Sequence, residues 1–232
     1  KTVQALNLYV ATVITSVTSQ NSLGVLNRYD LPVEVIASQF KAVTSDLKFE
    51  AVKIGMLGNA KTVKTLAELL AASGLKNIVL DPVINAHTGA ELLTKEGVAS
   101  LKELWSLAEV VTPNSFEAEQ LLNLKVNSLN TQKEAAQRAC QLGAKAAVIK
   151  GGHFPGKTVS DVLYNGSFWV YKAPDVGYKA HGAGCCFSTA IAAFLAAGFS
   201  LPEAVKQAHS FTQRAIKNAT KQGKGLLVAN PS

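Results

Sequence analysis

Residues 179–188 read Lys-Ala-His-Gly-Ala-Gly-Cys-Cys-Phe-Ser and lead straight into an alanine-rich stretch ending at Gly198. Gly182 and Gly184 predict a tight turn from which a helix starts at once. The first-turn N–H groups of a helix have no partner within it, and the positive end of the helix dipole points the same way. Together they make an anion site. Cys185 sits inside that site. The field that holds a phosphate there also favours thiolate over thiol, so Cys185 is expected to be reactive. The same cysteine would equally serve as a small apolar residue buried at a helix start. His181, just before the turn, reads as a structural histidine. It would complete a thiol hydrolase only with an Asp or Asn to orient it, and none is evident in the sequence.

Other chemistry-bearing residues fall where short β-branched runs end. Asn114 and Glu117, three apart, share one face of a helical turn and could organise a hydrated Mg²⁺. The same pair could simply cap that helix. Lys150 precedes Gly151 and Gly152 at the end of a strand, where a lysine can meet phosphate as a point charge. A plain strand-to-loop turn is the alternative. Asp81 before Pro82 could orient a substrate, hold a metal or make a turn. Gln20 and Asn21 could hydrogen-bond a heterocycle. No Walker A pattern and no zinc-type Cys/His spacing occurs in the sequence.

The elements that must position these residues alternate. Strands are expected over 10–17, 52–56, 78–81, 109–112 and 146–150. Helices are expected over 32–43, 62–72, 94–106, 115–122, 131–142, 185–197 and 201–219. Asn165-Gly166 predicts a hairpin joining 159–164 to 168–172. Strand–helix alternation implies a mostly parallel sheet with helices on both faces and the hairpin at one edge. With no linker, repeat or low-complexity stretch, residues 1–232 are expected to form a single domain. In such sheets ligands bind beyond the carboxyl ends of the strands.

Bulk composition agrees with a globular domain: 48% of residues are hydrophobic and 17% charged. The net charge of +7 is scattered over the chain and aromatics make up only 7%. A nucleic-acid partner is therefore not expected. No apolar run is long enough to span a bilayer. Three cysteines, two of them adjacent, make a poor disulfide framework and suit a cytoplasmic protein.

Five segments in order carry a resemblance: 53–57 (Lys-Ile-Gly-Met-Leu), 80–83 (Leu-Asp-Pro-Val), 112–118 (Thr-Pro-Asn-Ser-Phe-Glu-Ala), 149–153 (Ile-Lys-Gly-Gly-His) and 181–185 (His-Gly-Ala-Gly-Cys). The series resembles the bacterial hydroxymethylpyrimidine/phosphomethylpyrimidine kinases, within the ribokinase-like superfamily, over nearly the whole chain. The resemblance implies a three-layer α/β/α fold and ATP-dependent phosphorylation of 4-amino-5-hydroxymethyl-2-methylpyrimidine, then of its monophosphate, in thiamine biosynthesis. It implies Cys185 as the base, with the amides of Gly182, Ala183, Gly184 and Cys185 holding the transferring phosphoryl group. It implies Asn114 and Glu117 on Mg²⁺ and phosphates, Lys150 on phosphate and Asp161 near the nucleotide. Gln20, Met56, Asp81 and Val83 would bind the pyrimidine, and a homodimer would form. A pyridoxal kinase of the same clade and a non-catalytic pyrimidine- or nucleotide-binding homologue are the alternatives. The family has Thr where this chain has Ala183 and Cys186. The Ala183 change removes a hydroxyl near the anion hole and leaves the backbone donors. The match begins after the family's opening strand and Gly-rich substrate segment, and both are expected upstream of Lys1.

Overall fold

The computed structural model describes all residues except His153 and Pro155. Ahead of the central sheet come the short helix α1 (Thr2–Ala5), strands β1 (Ser16–Gln20) and β2 (Val25–Asp30), and helix α2 (Val33–Asp46). Next come β3 (Val52–Ile54), α3 (Ala60–Ser73), β4 (Ile78–Leu80), α4 (Lys95–Ser100), α5 (Lys102–Trp105) and β5 (Val110–Val111). They are followed by α6 (Ser115–Leu122), α7 (Leu129–Gln141), β6 (Ala147–Ile149), β7 (Thr158–Tyr164) and β8 (Phe168–Pro174). The chain ends with β9 (Ala180–His181), α8 (Ala183–Ala196), α9 (Leu201–Lys217) and β10 (Leu227–Val228).

The main sheet runs β3-β4-β5-β6-β7-β8. Its first four strands are parallel, and the hairpin β7–β8 joins β6 antiparallel. Burial on both faces explains the unbroken apolar strands. Leu80, Val111, Ala147 and Ile149 point to one side, among Leu66, Leu104, Trp105, Ala118 and Ala136 of the helices α3 to α7. Val79, Val110, Val148 and Leu163 point to the other, against Phe187, Ile191, Ala204 and Ala208 of α8 and α9. This is the expected α/β/α layering with its antiparallel edge.

The chain departs from the expected pattern in three places. The first strand lies at 16–20, not 10–17. It pairs with β2 in a separate two-stranded sheet, a partner that the sequence reading does not contain. The Val10-to-Ile14 run fails as a strand because the Gln39 side chain takes its backbone: the amide of Ile14 donates to Gln39 Oε1 at 3.0 Å, and Gln39 Nε2 donates to Ile14 O at 3.0 Å. The helix expected over 94–106 divides at Leu101, whose N–H reaches both Gly97 O and Val98 O as the turn tightens. Finally, β9 and β10 pair in parallel beside the Gly182 turn and were not foreseen.

Candidate active site

The helix α8 begins two residues earlier than expected, at Ala183. Gly182 is its N-cap at φ +85°, a left-handed conformation that suits glycine, and Gly184 is already helical. The first helical bond runs from the Cys186 amide to Gly182 O at 2.8 Å. The amides of Ala183, Gly184 and Cys185 are thus the bare first-turn donors. They face the carboxyl ends of β4 and β6. Beside them, between the end of β3, the N-terminal segment and α8, lies a cavity of about 620 Å³ bordered by Lys53, Met56, Gly182 and Cys185. Met56 is held from behind, where Thr15 Oγ1 donates to its carbonyl at 2.7 Å.

Beneath the helix start lies a buried polar cluster. Lys150 Nζ donates to Asp81 Oδ1 at 2.8 Å. Thr112 Oγ1 donates to the same oxygen at 3.2 Å, and Ser188 Oγ donates to Asp81 Oδ2 at 3.0 Å. Asp81 is only 2% exposed, so each of its oxygens is committed to a protein donor. Burial alone would raise its carboxyl, but Lys150 and Lys53 outweigh this and hold it below the ordinary carboxylate range. Burial opposes the charge on Lys150, yet Asp81 and Glu117 keep its ammonium well above the usual lysine range. Lys150 therefore stays cationic, and its Nζ lies 3.6 Å from where a Cβ on Gly184 would stand. The cation and the bare amides address the same space.

Asn114 and Glu117 form a capping box on α6. Asn114 Oδ1 accepts from the Glu117 amide at 3.0 Å, and Glu117 Oε2 accepts from the Asn114 amide at 2.8 Å. A parallel bridge joins Asn114 to Lys150, whose amide donates to Pro113 O at 3.0 Å. Burial, reinforced by Asp81 and only partly offset by Lys150, pushes the Glu117 carboxyl up to about 7. Among the described residues no group of three or more His, Cys, Asp or Glu could hold a metal ion. Glu117 and Asn114 are already shared with backbone amides, so a cation here would be met through its waters.

Cys185 corrects one expectation. Its side chain opens to the cavity, yet its thiol is pushed above the usual cysteine range, not below it. Surrounding protein is the main cause, and the Asp81 and Glu117 carboxylates add to it against the pull of Lys53 and Lys150. The helix start alone suggested thiolate, but enclosure by the folded protein outweighs it.

The remaining expected residues stand further out. Val83 follows Asp81, its amide turning back to Asp81 O at 2.8 Å. Gln20 ends β1 on the separate hairpin and is exposed. Asp161 is buried on β7: Oδ1 accepts from the Gly151 amide at 3.0 Å and Oδ2 faces His209 Nδ1 at 2.7 Å. His153, from the 149–153 motif, lies outside the described residues.

A profile of the phosphomethylpyrimidine kinase family matches residues 1–230. The hydroxymethylpyrimidine/phosphomethylpyrimidine kinase of Aquifex aeolicus is 40% identical over 231 residues, 98% of this chain and 91% of that protein. The chain belongs to the phosphomethylpyrimidine kinase family. Solved structures agree. The phosphomethylpyrimidine kinase of Clostridium difficile superposes with a TM-score of 0.82 at 35% identity, covering 93% of this chain and 90% of that one. The pyridoxal kinase of Staphylococcus aureus bound to pyridoxal gives a TM-score of 0.91 at 32% identity, covering 99% and 85%.

Several residues of this family member escaped the sequence reading. Ser188 lies one helical turn after Gly184 in an alanine-rich helix, and its hydroxyl there was the only signal. Thr112 ends β5 just before Pro113. Lys53 lies on β3 beside the cavity and acts on both Asp81 and Cys185. Its ammonium folds over Gly55, where a side chain would collide with it. Lys53 opens the 53–57 segment, but nothing there gave its side chain a role.

Proposed function

We propose that this kinase transfers the γ-phosphoryl group of ATP to the hydroxymethyl oxygen of 4-amino-5-hydroxymethyl-2-methylpyrimidine, and then phosphorylates the monophosphate to the diphosphate. The observation that carries the reading is the convergence of three bare α8 amides, the Lys150 ammonium and the Cys185 thiol on one space. Phosphoryl transfer asks chiefly for positioning and charge neutralisation, and that space supplies both. The oxygen of the hydroxymethyl group forms the new O–P bond. The bond from the γ-phosphorus to the bridging oxygen breaks, and its electron pair leaves with ADP. The hydroxyl proton passes to Cys185 in its thiolate form. The amides of Ala183, Gly184 and Cys185 hold the group in flight, and Lys150, poised by Asp81, meets its phosphate oxygens. Asn114 and Glu117 would hold Mg²⁺ through its waters, and the ion would neutralise charge on the β- and γ-phosphates. Met56, on the cavity, would border the ring, and Val83 and Gln20, which stand further out, would complete the pyrimidine site from the loop after Asp81 and from the hairpin.

Pyridoxal, which also carries a hydroxymethyl group on a six-membered ring, is the second reading, favoured by the shape agreement with the pyridoxal kinase. Parallel assays of ATP turnover with the pyrimidine and with pyridoxal separate the two. Turnover of pyridoxal alone overturns the first. A protein that binds nucleotide and pyrimidine and turns over neither is the non-catalytic outcome.

The same reading makes the molecule a cytoplasmic homodimer. Its three cysteines are free thiols, as a reducing compartment requires. Val17 and Tyr29, paired across the hairpin β1–β2, expose an apolar face. A two-stranded hairpin is marginal on its own, so a second copy is the partner we assign to that face. Sedimentation equilibrium tests it: Tyr29→Lys is expected to shift dimer to monomer.

A further inference from the structure

The corner at Lys150 and Gly151 is held from three separate elements. Gln132 on α7 is fully buried, and its Nε2 donates to Ile149 O at 3.0 Å and to Ser160 O at 2.8 Å. Asp161 on β7 is 7% exposed and accepts the Gly151 amide. His209 on α9 is 5% exposed and closes on the other oxygen of Asp161. A carboxylate only accepts, so Nδ1 is the protonated ring nitrogen facing it. The packing at this corner is tight. A Cβ on Gly151 would overlap the Ser160 carbonyl and come within 2.7 Å of Gln132 Nε2.

Burying an amide, a carboxylate and an imidazole in one place costs free energy unless each is paired. Gln132 Oε1 and His209 Nε2 find no partner among the described residues, and the backbone bonds that are made go to particular atoms. Two bonds reach the carbonyls at 149 and 160, and one reaches the amide at 151. These atoms bracket Lys150, whose side chain has little freedom once its backbone is fixed, because Nζ must span from this corner to Asp81 and the Gly184 turn. A shift of the corner moves the ammonium with it. Displacements of about 1 Å at such sites can cost on the order of a hundredfold in rate.

We propose that Gln132, Asp161 and His209 form a brace that sets the position of the Lys150 ammonium for nucleotide phosphate, and so are positioning residues for ATP use. The inference rests on the reading of Lys150 as the phosphate-contacting lysine. It assigns Asp161 to the nucleotide side through Gly151, without contact to the nucleotide itself. Gln132 and His209 gain a role that the sequence motifs did not suggest.

The test compares the wild type with His209→Leu, His209→Gln, Gln132→Met and Lys150→Ala. ADP affinity is read by calorimetry, kcat and KM for ATP and for the pyrimidine by turnover, and Tm by thermal melting. In His209→Leu and Gln132→Met, KM for ATP and Kd for ADP are expected to rise about tenfold, or about 1.4 kcal/mol, with KM for the pyrimidine unchanged. His209→Gln retains an N–H for Asp161 and is expected within about twofold of the wild type, which a lost ring alone would not give. A lowered Tm with unchanged ATP and ADP parameters in both disruptive variants overturns the brace and leaves the reading of Lys150 standing. Wild-type protein that binds no ADP, or Lys150→Ala that binds it as tightly, overturns the reading and the brace together. Gln132→Met leaves no buried charge without its partner, so it decides the matter if His209→Leu does not fold.

Discussion

Cys185 is asked to accept a proton while surrounded by protein and two carboxylates that raise its thiol. Only the thiolate can act as base, so turnover is expected to climb with pH along an alkaline limb. Cys185→Asp, whose carboxyl ordinarily ionises near 4, is expected to move that limb several pH units towards acid; a limb that stays in place would remove Cys185 from the proton transfer. Cys185→Ala is expected to cut turnover by about 10²-fold or more, the usual contribution of a positioned base, with ADP affinity nearly unchanged in calorimetry. Glu117 makes a second pH statement. Its carboxyl is raised from 4.5 to about 7 by folding. The folded state therefore holds a proton that the unfolded chain has released, and stability falls as pH rises from about 4.5 through about 7. Glu117→Gln keeps an acceptor for the Asn114 amide, so the capping box survives. Its Tm is expected to be flatter over that window. The residue types and their spacing marked Cys185, Lys150, Asp81, Asn114 and Glu117 as candidates, each beside a plain structural alternative, and the fold draws them together. They did not reveal the sign of the Cys185 shift, because that is set by how deeply the folded protein encloses the thiol, which spacing along the chain does not show.

At the scale of elements, strand ends were legible and strand partners were not. The β-branched runs of β4, β5 and β6 stop at Asp81, Pro113 and Gly151, and each stop delivers a residue to the site. Periodicity also located α2, α3, α6, α7, α8 and α9 to within a few residues. It misread the Val10-to-Ile14 run because a glutamine side chain can satisfy a backbone as well as a neighbouring strand can. It missed β2 because Val25–Asp30 carries arginine and aspartate on a short exposed strand. Arg28 and Asp30 are bound at 3.1 Å, Ser16 and Asn59 donate to the same carboxylate, and Arg28 also reaches Glu91 O. Only in three dimensions do these residues form one anchor. At the Gly151 corner the packing leaves no space, so Gly151→Ala is expected to lower stability by about 1–3 kcal/mol, as overpacking does. Urea denaturation measures it, and an unchanged midpoint would mean the corner can yield.

Taken as a whole molecule, the chain joins two constructions of different kinds. One is a six-stranded sheet packed on both faces, with the transfer chemistry at its carboxyl edge. The other is the hairpin β1–β2, hydrogen-bonded only within itself as a sheet and tied down by the Asp30 anchor against Asn59 and Gly58. Asp30→Ala is expected to speed amide exchange across residues 16–30 while the strands of the sheet keep their protection, since local opening there breaks few buried contacts. That division bears on descent. Side chains on a self-paired ribbon can be exchanged without repacking a core, whereas every residue at the Asp81–Lys150–Ser188 cluster is locked to several others. If, as proposed, Gln20 on this ribbon meets the ring, exchanges there alter the choice of ring at little structural cost while the buried polar cluster stays fixed.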